Sequence, residues 1–299
     1  MRRRFVTLDV FTSRRYAGNP LAVVLDPDGL DGAAMQAVAR EFNLSETVFV
    51  LPPAEPAHRA RLRIFTPARE LPFAGHPTVG TAVLLARLDG GAQPRDLIVE
   101  EGVGAIRCAV EPIGPDDGRA RFDLARLPEE SGTVADSEAI AAALGLDPAD
   151  IGFPGFSPAL WSAGNPFTFV PVSGLDAVAR SRIDPGRWEA GFGSASFSAA
   201  FVFCRQTAEP GHAFHARMFV PGAGVREDPA TGSAVAAFAG VIARYAPPPD
   251  GTHEFVIEQG YEMGRPSQIR LAMTMRSGKL VAAAIAGEAI VVMEGTIEA

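Results

Sequence analysis

Two stretches of this chain carry residue types that move protons and grip small anions, and they resemble each other. Arg63-Ile64-Phe65-Thr66-Pro67 leads into Gly75-His76-Pro77-Thr78-Val79-Gly80-Thr81-Ala82. Arg217-Met218-Phe219-Val220-Pro221 leads into Glu227-Asp228-Pro229-Ala230-Thr231-Gly232-Ser233-Ala234. The first segments are offset by 154 residues and the second by 152, close to half of the 299-residue chain. Each copy reads as a strand, a glycine-bearing loop and a helix that opens on proline. Proline at the first helical position makes His76 and Asp228 the N-cap residues. The free N–H groups and positive dipole end of each helix then face outward. Two such ends facing one another would hold a carboxylate without arginine or metal, and Gly75, Gly80 and Gly232 let a ligand or backbone approach closely. Taken singly, Asp228 reads as a good cap and His76 as a satisfied polar residue. Two copies on two such helices tip the reading toward function, in a cleft between two halves.

Glu46 is the candidate acid/base. It lies between Ser45 and an expected strand, where a side chain can point off the sheet end. Partial burial there would raise its pKa toward the range that proton transfer from carbon requires. A solvated turn glutamate is the bland alternative.

These residues need a frame, and composition limits what it can be. The length suits two domains of about 150 residues, each able to bury a core. Apolar residues make up 47% and charged residues 21%, as in an ordinary soluble globular protein. A net charge of −8 argues against a nucleic-acid partner. Arg2-Arg3-Arg4 looks like half of a signal peptide, but Asp9 interrupts the apolar stretch that would follow. The uncharged run Ile151–Leu175 contains Pro154, Pro158, Pro166 and Pro171, so it cannot be a continuous helix in lipid. A soluble, cytoplasmic protein is expected. Cys108 and Cys204 sit in strand-like contexts as small buried side chains. The only lysine, Lys279, falls in the turn Arg276-Ser277-Gly278-Lys279, the wrong place for a pyridoxal Schiff base.

Strands are expected at Phe5–Phe11, Leu21–Leu25, Thr47–Leu51, Arg61–Phe65, Leu97–Glu101, Ala105–Val110 and Ala120–Leu124. Asp31 caps a helix running to about Phe42. After a connector at Leu127–Thr133, a short helix begins at Asp136 or Ser137 and ends at Gly145, and a buried strand is expected at Phe167–Val172. Ala199–Cys204, His215–Phe219, Glu254–Glu258, Gln268–Met275, Leu280–Gly287 and Ala289–Glu294 supply the later strands. The domains divide as 1–126, completed by a strand at about 288–299, and 127–287. The motif helices Pro77–Leu88 and Pro229–Ala243 are apolar on nearly every face, so each must be buried on all sides. The expected fold is therefore two α/β barrels, each wrapped around one helix.

Other patterns carry less. His212 and His215 have metal-like spacing, but three residues along a strand put them on opposite faces. Gly102-x-Gly104 lacks the rest of a dinucleotide fingerprint. Gly155-Phe156-Ser157-Pro158 is not a nucleophile elbow. Arg265-Pro266-Ser267 reads as an ordered turn.

Gly18-Asn19-Pro20, Ser45-Glu46-Thr47, Phe65-Thr66-Pro67 through Glu70-Leu71-Pro72-Phe73-Ala74-Gly75-His76-Pro77, Asp228-Pro229-Ala230-Thr231-Gly232-Ser233 and Gly264-Arg265-Pro266-Ser267 together resemble the PhzF-like phenazine-biosynthesis isomerase family, over nearly the whole chain. The resemblance implies the diaminopimelate-epimerase-like fold, often as a homodimer, and no cofactor. It implies that Glu46 shuttles a proton on a substrate similar to trans-2,3-dihydro-3-hydroxyanthranilate. His76, Asp228 and Ser233 would orient that small carboxylate, and the amides near Gly75 and Gly232 would hold its carboxyl group. Epimerases and racemases of the same fold use two cysteines at these helices, and this chain has none there. The alternatives left open are a non-catalytic binder of a small acid, and a lyase or hydrolase using the same cleft.

Overall fold

The structure, a computed structural model, describes residues 1–90, 93–194, 198–223 and 226–299. The chain divides into two units, Met1–Asp123 with Ala286–Ala299, and Leu124–Ile285.

The first unit contains β1 (Arg2–Val10), β2 (Asn19–Val24), α1 (Gly32–Phe42), β3 (Glu46–Leu51), β4 (Ala60–Phe65), β5 (Glu70–Leu71), α2 (Gly75–Leu88), β6 (Arg95–Glu101), β7 (Gly104–Pro112) and β8 (Asp117–Asp123). Helix α1 forms where the sequence sets it. The Asp31 side chain accepts from the Ala34 N–H at 2.8 Å, and Asn43 closes the helix in the left-handed region. Its Met35 and Ala39 pack on Val24, Phe49 and Phe65. Pairing runs β1–β2, β2–β3 (parallel), β3–β4, β4–β6 (parallel), β6–β7 and β7–β8. The late part of β17 (Lys279–Glu298) pairs with both β1 and β8 and closes the ring. The result is an eight-stranded barrel among the described residues. Helix α2 fills it, buried without interruption from Gly75 through Ala86. Gly80 is required for that fit, because a Cβ there would lie 2.7 Å from both Leu21 and Val10.

The second unit contains β9 (Glu129–Gly132), α3 (Ser137–Leu144), β10 (Ala159–Ser162), β11 (Pro166–Pro171), α4 (Leu175–Arg180), α5 (Trp188–Phe192), β12 (Ala200–Cys204), β13 (Phe214–Phe219), β14 (Glu227–Asp228), α6 (Gly232–Tyr245), β15 (Gly251–Gln259), β16 (Ser267–Arg276) and the start of β17. Its ladder repeats the first in kind: β9–β10, β10–β11, β11–β12 (parallel), β12–β13, β13–β15 (parallel) and β15–β16. Helix α6 is the buried centre. Its Phe238 ring stacks on Phe169 at 5.5 Å and meets Phe203 edge-on at 4.7 Å and Phe214 at 4.9 Å. Outside the sheet, α3, α4 and α5 close a second cluster around Ile140, Leu144, Val178 and Trp188.

The structure differs from the sequence expectation at three places in the framework. The motif helices do not open on their prolines. Helix α2 starts at Gly75 with Ala74 as N-cap, and α6 starts at Gly232 with Thr231 as N-cap. Pro77 lies inside the first turn of α2, where no intrahelical N–H is needed. Pro229 lies before α6, in the loop after β14. His76 and Asp228 are therefore not caps. The helix starts align Gly75 with Gly232, so His76 corresponds to Ser233 rather than to Asp228. The two strands expected at Leu280–Gly287 and Ala289–Glu294 are one continuous strand, β17. Gly287 does not break it; its missing Cβ is where the Phe11 ring packs, 2.2 Å from the Cβ position. Strand β10, inside the proline-rich run, had no signal of its own.

No helix of the described residues is long and apolar enough to cross a membrane.

Candidate active site

Glu46 is the first residue of β3, where it pairs with Leu21 of β2. Its side chain is 15% exposed. His76 is the second residue of α2 and is 3% exposed. The barrel brings them together: Glu46 Oε2 lies 3.2 Å from His76 Nε2. The approach is close but not aligned as a hydrogen bond. Burial lowers the His76 imidazole to about 3, so it is neutral at ordinary pH. That matters for Glu46. A cationic histidine at this distance would bind the carboxylate in a fixed ion pair, and a neutral one does not.

Asp228 belongs to β14, paired with Met218 of β13. Its Oδ2 accepts from Thr231 Oγ1 at 2.5 Å. Gln259, fully buried at the end of β15, fixes the same loop. Its Oε1 accepts from the Thr231 N–H at 3.0 Å, and its Nε2 donates to the Asp228 carbonyl at 2.6 Å. Ser233, half-buried, follows Gly232 in the first turn of α6. The first unit thus gathers Glu46, Gly75 and His76, and the second gathers Asp228, Gly232 and Ser233.

Arginine–glutamate pairs brace the loops that lead to both helices. Arg63 pairs with Glu70 in two bonds of 2.7 Å. Arg217 pairs with Glu227 in two bonds of 2.8 Å and also donates to the carbonyls of Val178, Ala179 and Ser181. The second brace is the more buried, at 12% and 16% exposure against 30% and 43%.

His212 and His215 do not diverge as strand alternation predicts. His212 precedes β13, so the alternation does not apply to it. Both rings reach Glu258, each through Nδ1 at 2.7 Å, and His215 Nε2 lies 2.9 Å from Glu262. The flanking carboxylates outweigh burial and push His215 up to about 9, while its partners hold Glu258 down at about 2. Glu258 also accepts from the N–H groups of Ala208 and Glu209. The first unit has the same clasp. Glu100 accepts from the N–H groups of Ala54 and Glu55 and meets His58 Nδ1 at 2.8 Å. A sequence signal exists for it: Ala54-Glu55-Pro56-Ala57-His58 and Ala208-Glu209-Pro210-Gly211-His212 share four of five residues at the 154 offset. No cluster of three or more potential metal ligands occurs among the described residues.

A cavity of ≈ 650 Å³ in the first unit has Leu30, Met35, Arg61, Glu70 and Glu101 in its walls. Neither Glu46 nor His76 lines it, so it is not where that pair would meet a substrate.

Against known proteins, a family model described as phenazine biosynthesis-like protein matches residues 8–295. An uncharacterized isomerase of Mesorhizobium japonicum is 53% identical over 99% of this chain and 98% of its own. The trans-2,3-dihydro-3-hydroxyanthranilate isomerase of Pseudomonas aeruginosa is 36% identical, with 98% of both chains covered. The crystal structure of a PhzF-family phenazine biosynthesis protein from Bacillus anthracis superposes with a TM-score of 0.89 at 27% identity, covering 100% of both chains. A proline racemase structure from Agrobacterium radiobacter, at 12% identity and a TM-score of 0.63 over 99% of this chain and 93% of its own, shares the fold alone. Two similar ladders around buried helices, and a match from residue 8 to residue 295, have one reading: the chain has the diaminopimelate-epimerase-like fold and belongs to the PhzF family of phenazine-biosynthesis-like proteins.

Proposed function

We propose that this protein is an isomerase that moves a proton between carbons of a small carboxylate, with Glu46 as the acid/base. The observation that carries the reading is the 3.2 Å approach of Glu46 Oε2 to a buried, neutral His76. The names of the relatives support the isomerase class.

In this mechanism the Glu46 carboxylate takes a proton from an activated C–H, and the electron pair passes into the conjugated system of the substrate. The protonated Glu46 then returns the proton at another carbon, so substrate and product have equal mass. Neutral His76 orients the carboxyl group of Glu46 and accepts or donates a hydrogen bond as its charge changes, without forming a fixed ion pair. The N–H groups at Gly75 and Gly232, which no turn of their helices uses, are assigned the substrate carboxylate. Asp228 and Ser233 are assigned its polar substituents. No step calls for a cofactor.

Proton NMR in deuterated water with trans-2,3-dihydro-3-hydroxyanthranilate tests the reading. Isomerisation with deuterium entering the product, lost in Glu46→Gln, is the expected result. Turnover unchanged in a folded Glu46→Gln protein would sink the acid/base assignment. Deuterium exchange without a change of mass beyond the label separates isomerisation from hydrolysis and elimination, and from binding alone.

A further inference from the structure

The two units end corresponding strands on nearly the same triplet. Glu100-Glu101-Gly102 closes β6 and Glu258-Gln259-Gly260 closes β15. The first glutamate of each forms the clasp described above. The second residue points to the other face, toward the start of the buried helix. Gln259 accepts from the N–H of Thr231, the N-cap of α6. The Glu101 carboxyl accepts from Thr78 Oγ1, in the first turn of α2, at 2.7 Å. Two side chains of different type thus hold the start of the buried helix in each unit, Gln259 at the N-cap and Glu101 through Thr78 in the first turn.

They differ in what they can give. Gln259 also offers an N–H₂, which donates to the Asp228 carbonyl. An ionised Glu101 has no donor, and its Oε2 is buried with no hydrogen-bond partner. A buried anionic oxygen in that position is costly, whereas a carboxylic acid is a neutral donor and acceptor like an amide. We propose that Glu101 works as a neutral carboxylic acid, a stand-in for Gln259, and is the positioning residue that holds the first turn of α2, and therefore His76, against Glu46. The inference rests on the isomerase reading for its catalytic consequence, but not for its structural part.

The surroundings agree. Facing Glu101 are Thr78 from α2, with Ala74 the N-cap before it, Cys108 from β7, and Arg61, Arg63 and Glu70 along the cavity whose wall it shares. Arg63 is taken by Glu70, Arg61 is exposed, and the Cys108 thiol, pushed up to about 12 by burial, is neutral. Burial raises Glu101 to about 8, opposed by the bond from Thr78. The positive end of α2 also favours an anion, yet desolvation dominates. As pH rises through about 8, Glu101 loses its proton and its donor. The first turn of α2 then relaxes and His76 moves relative to Glu46.

The test uses the whole protein with ¹³C-labelled glutamate carboxyls and ¹⁵N-labelled histidine, as wild type, Glu101→Gln and Glu101→Ala. One carboxyl resonance titrating near pH 8, absent from Glu101→Gln, is expected. The His76 imidazole resonances should shift with that step in the wild type and stay flat in Glu101→Gln. With trans-2,3-dihydro-3-hydroxyanthranilate, kcat of Glu101→Gln should stay within about twofold of wild type at neutral pH and lose the alkaline fall, while Glu101→Ala falls about tenfold or more in kcat. A Glu101 resonance titrating in the ordinary glutamate range overturns the proposal. So does a His76 signal indifferent to that step, or a Glu101→Gln protein as slow as Glu101→Ala. If the wild type leaves trans-2,3-dihydro-3-hydroxyanthranilate unchanged, that substrate is rejected by itself, and the two NMR titrations still decide the role of Glu101.

Discussion

The two units share a scaffold and divide its polar residues unequally. Both have the order of antiparallel and parallel pairings around one buried helix, the carboxylate clasp at Glu100 or Glu258, and the arginine brace at Arg63 or Arg217. Their site residues do not correspond. Glu46 opens β3, and Ala200 opens the matching β12. His76 matches Ser233, and Glu101 matches Gln259. The proposed acid/base pair therefore has no counterpart in the second unit. The repeated parts are those that fix the backbone; the parts that differ are those that could touch a substrate. Once duplication has supplied two similar helix starts, the proposed mechanism needs a base in only one copy.

The comparison can be broken most directly at Glu46. Glu46→Gln should lower kcat by about 10²- to 10⁴-fold with the fold intact, while an equally small change at Ala200, to Gly, leaves kcat nearly unaltered, as steady-state kinetics would show. Similar losses at both positions would mean that the units share the chemistry.

The clasps come next. Glu258→Gln removes the charge and turns one of two fully buried acceptor oxygens into an N–H₂ facing a backbone amide and an imidazole, and should cost about 3 to 5 kcal/mol in urea unfolding. Glu100→Gln should cost less, because it lacks a counterpart of His215 and is 13% exposed. Equal costs would show that the extra histidine adds nothing.

The His215–Glu258 pair also predicts a pH profile for the second unit. His215 is raised, so its contribution is fully present below about 6.5 and fades as pH climbs through about 9. Glu258 is depressed, so its contribution is present above about 4.5 and fades as pH falls through about 2. Thermal unfolding of His215→Gln should therefore differ most from wild type near pH 5 to 6 and converge with it at alkaline pH. A difference independent of pH would assign His215 a packing role only.

The smallest effects belong to the braces. Arg217→Ala leaves Glu227 and three carbonyls unmatched and should cost about 2 kcal/mol and raise KM through the Asp228 loop. Arg63→Ala, in a more exposed pair, should cost less than about 1 kcal/mol. Reversal of that order would overturn the burial argument.

Much of the frame was legible in the sequence because its signals are local. Asp31, Asp136 and Gly145 mark helix ends by side-chain chemistry or left-handed backbone, and they act where they stand. The all-round apolar character of α2 and α6 demanded enclosure, and duplication at a fixed offset demanded two enclosures. The proline rule failed at His76 because proline is tolerated anywhere in the first turn, and at Asp228 because Pro229 lies in the loop before the helix. The alternation rule failed at His212 because it lies before the strand. The Ala54–His58 and Ala208–His212 repeat was readable but not informative alone, since its partners, Glu100 and Glu258, lie more than 40 residues away.

By itself, then, the sequence determined the family, the two-helix duplication and the residue types available for acid/base work, since composition, periodicity and motif spacing are properties of the chain read in order. Only the tertiary structure decided which of those residues meet. Barrel closure sets Glu46 3.2 Å from His76, 30 residues later, and excludes water from the histidine so that it stays neutral. It also buries Glu101 beside the N-cap of α2, where desolvation rather than residue type sets its charge. The meeting of Glu46 with His76 and the burial of single polar groups arise from long-range packing, which no local pattern encodes.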